Sequence, residues 1–413
     1  MHRGASNFTV TISFRAAIKC ARFSRFTVLA GVDAPKMFGS ECIGVTNAQS
    51  SGLGWFDWHW HTFNTGGGMI LTFYDAQSRS CKVIDARETA PASATDQAYE
   101  ARVANRKTPR ATGYHEIATP GELAGLWMAY KEFGSGRVPW SELVMPAAKL
   151  ALYGFPVTEH MRTASVGTEA QIFDSPSMKS WINQRTNKLY EFGDLIKRPE
   201  LAKTLERLAA ADDPIELFYE GEMADEIVEE MERNGAFLSR LDLKNYKPHA
   251  EGNAVSVTSS INQWFGAVVQ SDKLGIVWND QMEDFSFPGV ENCPMVIYDK
   301  HTGKVKIVIG GSGGAKIPSS IAKAVLRVLC LNETIKEAID SPLLHNQFTP
   351  NEVVCENGTS KQLMTDLKEQ FGHNMKPYDN NSVVVQAIHV AEDGFIYANG
   401  DFRRRTYMHP AGF

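Results

Sequence analysis

The sequence predicts an α+β fold in which layers of helices cover stacked β-sheets. Three observations indicate this class. Two β-rich runs flank a polar turn near residue 76, a helix-rich stretch lies between residues 119 and 245, and short β-runs mix with helices after residue 254. Chains that segregate helices and strands in this way typically form layered domains. The 413 residues suffice for one large domain or two moderate ones.

The first two strands are predicted from apolar and aromatic runs that end at turn residues. Residues 69–74 follow three glycines and end at Asp75, and residues 82–85 end in a polar turn before Pro91. Because a short polar segment separates the two runs, we expect an antiparallel hairpin.

Four helices are predicted in the middle of the chain. The first has Thr119 as N-cap, Pro120 in its first turn and Gly134 at its end. The other three cover residues 143–152, 199–210 and 223–233, and each ends at a glycine, a proline or a polar turn.

The second half of the chain is predicted to mix strands with helices. Residues 251–253 indicate a turn that leads into the first of these strands. The predicted strands are residues 254–257, 276–278, 295–298, 305–309, 383–390 and 395–398. The predicted helices are residues 318–331 and 361–371.

Composition limits the classes of function. A net charge of −6 gives no electrostatic reason to expect nucleic acid as a partner. No apolar run is long enough to predict a membrane-spanning helix. The six cysteines contain no CxxC pair and fit no zinc pattern, so the sequence predicts neither a metal site nor a cofactor. Sequons at Asn7, Asn332, Asn357 and Asn380 are compatible with a glycosylated protein.

A glycine-rich turn is the first candidate for chemistry. In "VIGGSGGAKIPSS", residues 308–320, glycines join a predicted strand to a predicted helix, where backbone N–H groups point at an anion or a developing oxyanion. Lys316 is followed by Ile317 rather than Ser or Thr, which excludes a P-loop, and Lys316 also breaks the dinucleotide fingerprint. A tight turn with only a structural role is the alternative.

Two charged positions are the other candidates. Arg87 follows a predicted strand, and its rigid fork suits a carboxylate. The segment "WNDQMEDFSFPG" contains Asp284, which suits an ammonium group. The alternatives are a surface salt bridge and a solvated acidic turn.

The segment "WFDWHWHTFNT", residues 55–65, has the composition of an inserted loop. A metal site formed by Asp57, His59 and His61 is the alternative interpretation of this segment, but no further ligands stand at a supporting spacing.

Seven motifs in their order along the chain resemble the γ-glutamyltransferase (glutathione hydrolase) family. They are "GVTNAQSSGLG…GGGMILTFYD", "VIDARETAP", "PGELAGLW", "GNAVSVTSSIN", "NDQMEDFS", "IGGSGGAK" and "SPLLHNQFTPN". The resemblance covers residues from about 43 to 413, with gaps. It divides the chain into residues 1–42 outside the family, residues 43–248 like a truncated large subunit, and residues 249–413 like a small subunit.

The resemblance implies a fold and a reaction. The fold is the αββα sandwich of N-terminal-nucleophile hydrolases, here incomplete. The implied substrates are glutathione and other γ-glutamyl compounds, which pass the glutamyl group through an acyl-enzyme to water, acceptor amino acids or dipeptides. Many members of the family lie outside the cell or at its surface, so the same location is expected here.

The resemblance also implies site residues. Arg87 would bind the α-carboxylate of the γ-glutamyl group, and Asp284 would bind its α-ammonium together with Asn262. Ser260 stands where the family commonly has Thr, and Gln281 stands where Glu is usual. The oxyanion hole would be formed by the N–H groups of Gly313 and Gly314.

The resemblance breaks at the catalytic nucleophile. In the family a long segment follows the "DLxxY" element and ends in the processing threonine, whereas Pro248 and His249 here run directly into residues 250–252. A second gap precedes Cys293, where the family has a pair of serines. We therefore expect an internal deletion and an inactive chain, with a pseudoenzyme that binds γ-glutamyl ligands or a partner as the alternative function.

Overall fold

The computed structural model describes residues 28–29, 44–45, 65–75, 78–104, 112–134, 136–252, 256–286, 294–346, 350–378, 383–392 and 394–404. The predicted insertion at residues 55–65, except for Thr65, lies outside these ranges, as do its alternative metal site and the gap before Cys293. So does most of residues 1–42.

The described chain contains both strands and helices, in runs of one to four elements of the same kind. The strands are β1 (Val28–Leu29), β2 (Gly44–Val45), β3 (Gly68–Asp75), β4 (Ser80–Ala86), β5 (Phe155–Pro156), β6 (Ile182–Asn183), β7 (Lys188–Leu189), β8 (Leu195–Ile196), β9 (His249–Gly252), β10 (Ser256–Ser260), β11 (Met295–Tyr298), β12 (Val305–Ser312), β13 (Leu344–His345), β14 (Val353–Glu356), β15 (Met375–Tyr378), β16 (Val384–Val390) and β17 (Ile396–Gly400). The α-helices are α1 (Asp96–Val103), α2 (Glu122–Phe133), α3 (Trp140–Tyr153), α4 (Glu159–Gly167), α5 (Glu169–Asp174), α6 (Pro199–Ala210), α7 (Glu222–Arg233), α8 (Arg240–Asn245), α9 (Ile317–Leu331), α10 (Ile335–Asp340) and α11 (Lys361–Glu369).

Two antiparallel four-stranded sheets form the centre of the molecule. The first sheet has the order β10-β3-β4-β9 and the second has the order β11-β12-β16-β17. In the first sheet, β3 and β4 form the predicted hairpin, with Met69 opposite Ala86. In the second, Ile309 on β12 lies opposite Ala387 on β16. Smaller pairings join β1 to β2, β5 to β8, β6 to β7, and β13 and β15 to β14.

The two sheets pack face to face through alternate residues of β3 and β11. The ring of Tyr74 on β3 stacks on Tyr298 of β11 with centroids 4.7 Å apart. Nearby, the Thr72 hydroxyl donates to the Pro294 carbonyl at 3.5 Å, and the Ser256 hydroxyl on β10 donates to the Ile309 carbonyl at 3.4 Å. Because side chains alternate along a strand, the opposite faces of both sheets are left for helices.

Helices cover these outer faces. Met69, Leu71 and Phe73 on β3 belong to the large apolar core that also contains residues of α2, α3, α6 and α7. The ring of Phe73 stacks on Phe133 at the end of α2, with centroids 4.3 Å apart. On the second sheet, Ile307 and Ile309 share an apolar cluster with residues of α9 and α10. The layers are therefore helix, sheet, sheet and helix.

Most predicted elements are confirmed, but the predicted start of the first helix is wrong. α2 begins at Glu122, and Thr119 is not its N-cap. The backbone of Thr119 is held extended by mutual hydrogen bonds with Thr89. The N–H groups of Gly121 and Glu122 donate to the Gly67 carbonyl at 2.8 and 2.9 Å, which satisfies donors that a cap would otherwise bind.

Two further expectations in the second half are wrong. Residues 276–278 form no strand, and only Val277 takes part in an isolated bridge, with Gln270. The facing stretch contains Phe265 and Val268 at positive φ of 61° and 54°, which interrupts a pleated ladder. The apolar residues 276–278 are instead buried in the core as part of a loop. Glu251 and Gly252, expected in a turn, belong to β9.

The packing of β3 gives a test of the core. We expect Leu71→Ala to lower the free energy of unfolding by about 2–5 kcal/mol, because the fully buried side chain leaves a cavity between β3 and the helices. Leu326→Ala makes the same chemical change on α9 at a side chain 56% exposed, and should change stability by about 0.5 kcal/mol or less. Urea unfolding of both variants measures the difference, and equal losses would contradict the described core.

Candidate active site

A buried ion cluster lies where the end of β4 meets the 3₁₀ helix Gln281–Ser286. Arg87 follows β4 directly. Its Nη2 lies 3.3 Å from Oδ2 of Asp284, and its Nε lies 3.4 Å from Oε2 of Glu88. The side chains of Arg87, Asp284 and Glu88 are 14%, 2% and 0% exposed. The alternative interpretations of a surface salt bridge and a solvated acidic turn are therefore wrong for Arg87 and Asp284.

The backbone of Arg87 is fixed by neighbouring side chains. The Tyr246 hydroxyl, just after α8, donates to the Arg87 carbonyl at 2.7 Å. The Arg87 N–H donates to Oδ1 of Asp85 at 3.0 Å. The ring of Tyr246 stacks on Tyr219, whose hydroxyl donates to the Pro120 carbonyl at 2.9 Å. The backbone of Arg87 is therefore held by Asp85 and by Tyr246, which itself packs against Tyr219.

Ser260 and Asn262 belong to the same neighbourhood. They form a turn at the end of β10, in which Asn262 adopts a φ of 74° and its N–H donates to the Ser260 hydroxyl at 2.9 Å. The Asn262 side-chain amide donates to the Asp280 carbonyl at 3.1 Å, next to the Gln281–Ser286 helix. This contact ties the end of β10 to the segment that carries Asp284.

Gln281 and Asp284 present polar atoms without protein partners in the part of the chain that the structure describes. Both the oxygen and the nitrogen of the Gln281 side-chain amide are buried without a hydrogen bond, and so is Oδ1 of Asp284. Buried polar groups are nearly always hydrogen-bonded in native proteins. Their clustering beside Arg87 indicates a place where a polar ligand or water completes the hydrogen bonds.

Carboxyl groups outnumber the single guanidinium group in this cluster, and the pKa values of Glu88 and Asp284 are raised. Burial raises the pKa of Glu88 to about 7, against the opposing effect of Arg87. Burial also raises the pKa of Asp284 well above its ordinary value, and Arg87 opposes this rise while Asp280, Glu88 and Glu283 add to it. One guanidinium is therefore shared by two desolvated carboxyl groups.

This arrangement has the chemistry of an amino-acid head-group site. A guanidinium suits a carboxylate, and a carboxylate such as that of Asp284 suits an ammonium group. The net negative character of the cluster favours a ligand that brings a positive charge. Among the described residues, no cluster of His, Cys, Asp and Glu side chains is suited to a metal ion.

The glycine-rich turn lies on the other sheet. Gly313 and Gly314 follow β12 and adopt φ values of 130° and 65°, in the region that favours glycine. A short 3₁₀ turn, Gly314–Lys316, then leads into α9. The structure thus brings together Arg87, Ser260, Asn262, Gln281 and Asp284. That the two glycines form an oxyanion hole in the same site stays a prediction.

Glu88 and Tyr246 are cluster residues that the sequence analysis missed. Glu88 directly follows Arg87, and an acid beside an arginine at the end of a buried strand was the available signal. Tyr246 had no such signal, because its contact with Arg87 joins residues 159 positions apart.

The junction at Pro248 contains no threonine, and Thr258, the first threonine after it, lies inside β10. α8 ends at Asn245, and β9 begins at His249 and pairs with β4. Residues 243–257 contain no threonine. β9 and β10 occupy opposite edges of the first sheet.

Comparison with known proteins decides the family. The family model described as gamma-glutamyltranspeptidase matches residues 40–251 and 249–411. The chain belongs to the γ-glutamyltranspeptidase family. The two matches together span most of the chain and meet at residues 249–251, beside the junction at Pro248.

Several relatives of this γ-glutamyltranspeptidase family member are named enzymes. It is 24% identical to glutathione hydrolase 3 of Arabidopsis thaliana, over 83% of this chain and 75% of that protein. It is also 27% identical to scoloptoxin SSD14 of Scolopendra dehaani, over an alignment of 516 positions that covers 88% of this chain and 85% of that protein. The family is thus one of enzymes.

A solved structure confirms the predicted fold. Cephalosporin acylase from Bacillus halodurans superposes with a TM-score of 0.69 over 96% of this chain and 97% of that chain, at 13% identity. Both share the α+β sandwich of N-terminal-nucleophile hydrolases. No helix within the described ranges is both long enough and apolar enough to cross a membrane.

The titration of Glu88 predicts how stability depends on pH. Its pKa is about 7 in the folded chain and 4.5 as a free group, so the folded state binds more protons between these values and ionisation destabilises it. Relative to Glu88→Gln, the wild-type chain should lose about 3 kcal/mol of unfolding free energy as pH rises from 4.5 to 7. Urea unfolding of both proteins at pH 5 and pH 8 checks this, and a difference independent of pH would contradict it.

Proposed function

We propose that this chain binds γ-glutamyl compounds such as glutathione in the Arg87–Asp284 cluster and does not cleave them. The observation that carries the proposal is the buried contact between an arginine and an aspartate from distant segments, beside side chains that lack hydrogen-bond partners. A zwitterionic head group brings the carboxylate and the ammonium that such a cluster lacks.

The proposed orientation follows from the charges. The ligand's α-carboxylate would bind Arg87, and its α-ammonium would bind Asp284 with the side-chain oxygen of Asn262. Gln281 would use its unpartnered amide as a neutral hydrogen-bonding group, and Ser260 would keep the turn at Asn262 in place. Gly313 and Gly314 would have faced the scissile carbonyl in an active relative.

The absence of cleavage rests on the missing nucleophile. The family reaction needs a threonine whose own free amine acts as base. Thr258, the first threonine after Pro248, lies inside β10 rather than at a chain terminus, so it lacks that amine. The family model matches the chain in two pieces that meet at residues 249–251, which supports the proposed loss of a segment beside Pro248.

Turnover, with transfer of the glutamyl group to water, amino acids or dipeptides, is the second candidate function. One observation favours it: the Ser259 hydroxyl on β10 is buried and has no hydrogen-bond partner among the described residues, next to Ser260. A serine inside a strand lacks the terminal amine that would activate it, so the binding function has the stronger support. The subunit-like division at residue 248 and an extracellular location stay predictions from the resemblance.

The proposal predicts binding without turnover. Calorimetric titration with S-methylglutathione should show saturable binding, while the same protein should release no chromophore from a γ-glutamyl anilide. Arg87→Ala should weaken binding by about 30-fold or more, because losing a buried charge partner costs about 2 kcal/mol or more. Arg87→Lys keeps the charge but loses the planar guanidinium, so it should weaken binding less than Arg87→Ala does. Arg185→Ala removes an exposed arginine and serves as the matched control.

Each outcome has a definite meaning once circular dichroism shows that the variants are folded. Chromophore release that disappears in Arg87→Ala would establish turnover and direct attention to Ser259. Absence of binding by the folded wild-type chain, or equal binding by the Arg87 variants, would overturn the proposed function.

A further inference from the structure

Glu88 has no role in the proposed ligand contacts, although it lies at the centre of the cluster. Its carboxyl group is completely buried, and neither oxygen forms a hydrogen bond of standard geometry with described residues. A Cβ atom at Gly68 would lie only 2.5 Å from Oε2 of Glu88, so the glycine at this position leaves room for the carboxyl group beside Arg87.

Several elements surround Glu88 with titratable or polar groups. Arg87 lowers its pKa, as do the backbone N–H groups of Glu88 and Gly68, and Asp85 raises it. Glu88 in turn raises the pKa of groups on three other elements, namely Asp284, Tyr219 and Tyr246. Burial keeps both tyrosines protonated at neutral pH, so Arg87 is the cation that faces Glu88 among these groups.

A ligand carboxylate at Arg87 creates a conflict with Glu88. The guanidinium already contacts Glu88 through Nε and Asp284 through Nη2. A third carboxylate would place two or more anions within a few ångströms of one buried cation. Like charges at this separation disfavour joint ionisation, and the group with the least hydrogen bonding takes up a proton first. That group is Glu88, since Asp284 gains the ligand's ammonium.

We propose that binding of a carboxylate ligand at Arg87 is coupled to protonation of Glu88. This inference rests on the proposed function. Glu88 is a positioning residue. In its neutral form it leaves the Arg87 guanidinium available to the ligand's carboxylate, and in its ionised form it competes with that carboxylate for the guanidinium. The coupling transfers one proton from solvent to a Glu88 carboxylate oxygen, with no change in covalent structure beyond the new O–H bond.

The direction of the pH dependence follows from linkage. Below about pH 7, Glu88 is already protonated in the free protein, so affinity is constant. Above that pH the free protein must take up a proton when it binds, so affinity falls by up to about tenfold per pH unit. The decline ends at the higher pKa that Glu88 has in the complex.

Calorimetric titration with S-methylglutathione, which has no thiol to titrate, tests the coupling. At pH 8, two buffers with different ionisation enthalpies give the number of protons exchanged. We expect uptake approaching one proton by the wild-type chain, and a fall in affinity of about tenfold between pH 7.5 and 8.5. Glu88→Gln keeps the side-chain volume and should still bind the ligand, but it should lose the part of both effects that Glu88 causes and keep only the part that comes from the ligand's own α-amine.

Glu369→Gln is the matched control, because it removes one negative charge from an exposed position on α11. It should retain proton uptake and the pH dependence of the wild-type chain. Urea unfolding at pH 8 establishes that all three proteins are folded.

The outcomes distinguish failure of this inference from failure of the proposed function on which it rests. Binding with uptake that decreases only in Glu88→Gln supports the coupling. Binding by the wild-type chain without proton uptake, or with equal uptake in Glu88→Gln, overturns the coupling and leaves the proposed function standing. Absence of binding at every pH between 6 and 8.5 overturns both.

Discussion

The burial of β3 on both faces is the constraint on which the rest of the molecule depends. One face of this strand packs against α2 and the helical core, and the other meets β11 of the second sheet. A strand in this position is expected to be mostly apolar or aromatic, and residues 68–75 are so except for Thr72 and Asp75 at its end. Its pairing with β4 then determines where β4 ends, and therefore where Arg87 enters the space beside the Gln281–Ser286 helix.

Close backbone contacts hold the first layer of helices onto this strand. A Cβ atom at Gly121 would lie 1.9 Å from the Tyr246 hydroxyl, and one at Gly125 would lie 2.5 Å from Cβ of Ala86. The absence of side chains at these two positions lets α2 approach β3 and β4. The same approach brings Tyr246 within reach of the Arg87 carbonyl, so packing and the positioning of the charged cluster share one cause.

The sequence predicted those elements whose signals are local. α6 and α7 follow clear apolar periodicity and end at turn residues, and β3 and β4 are bounded by glycine and by charge. The start of α2 was missed because the carbonyl that binds its first N–H groups belongs to Gly67, more than fifty positions away. Residues 276–278 were misassigned because burial of a loop and burial of a strand produce the same apolar composition.

In the candidate site, local patterns alone favoured solvent-exposed charges at Arg87 and Asp284. Family resemblance brought the two together, and Glu88 escaped both lines of reasoning because its importance depends on complete desolvation.

The contact between Arg87 and Asp284 joins segments 197 positions apart and is buried, so its loss leaves unpaired charge in the interior. Loss of either residue would therefore cost stability as well as any binding of a ligand. The presence of both residues in a chain of this fold is for that reason a statement about its architecture, and it says little about catalysis.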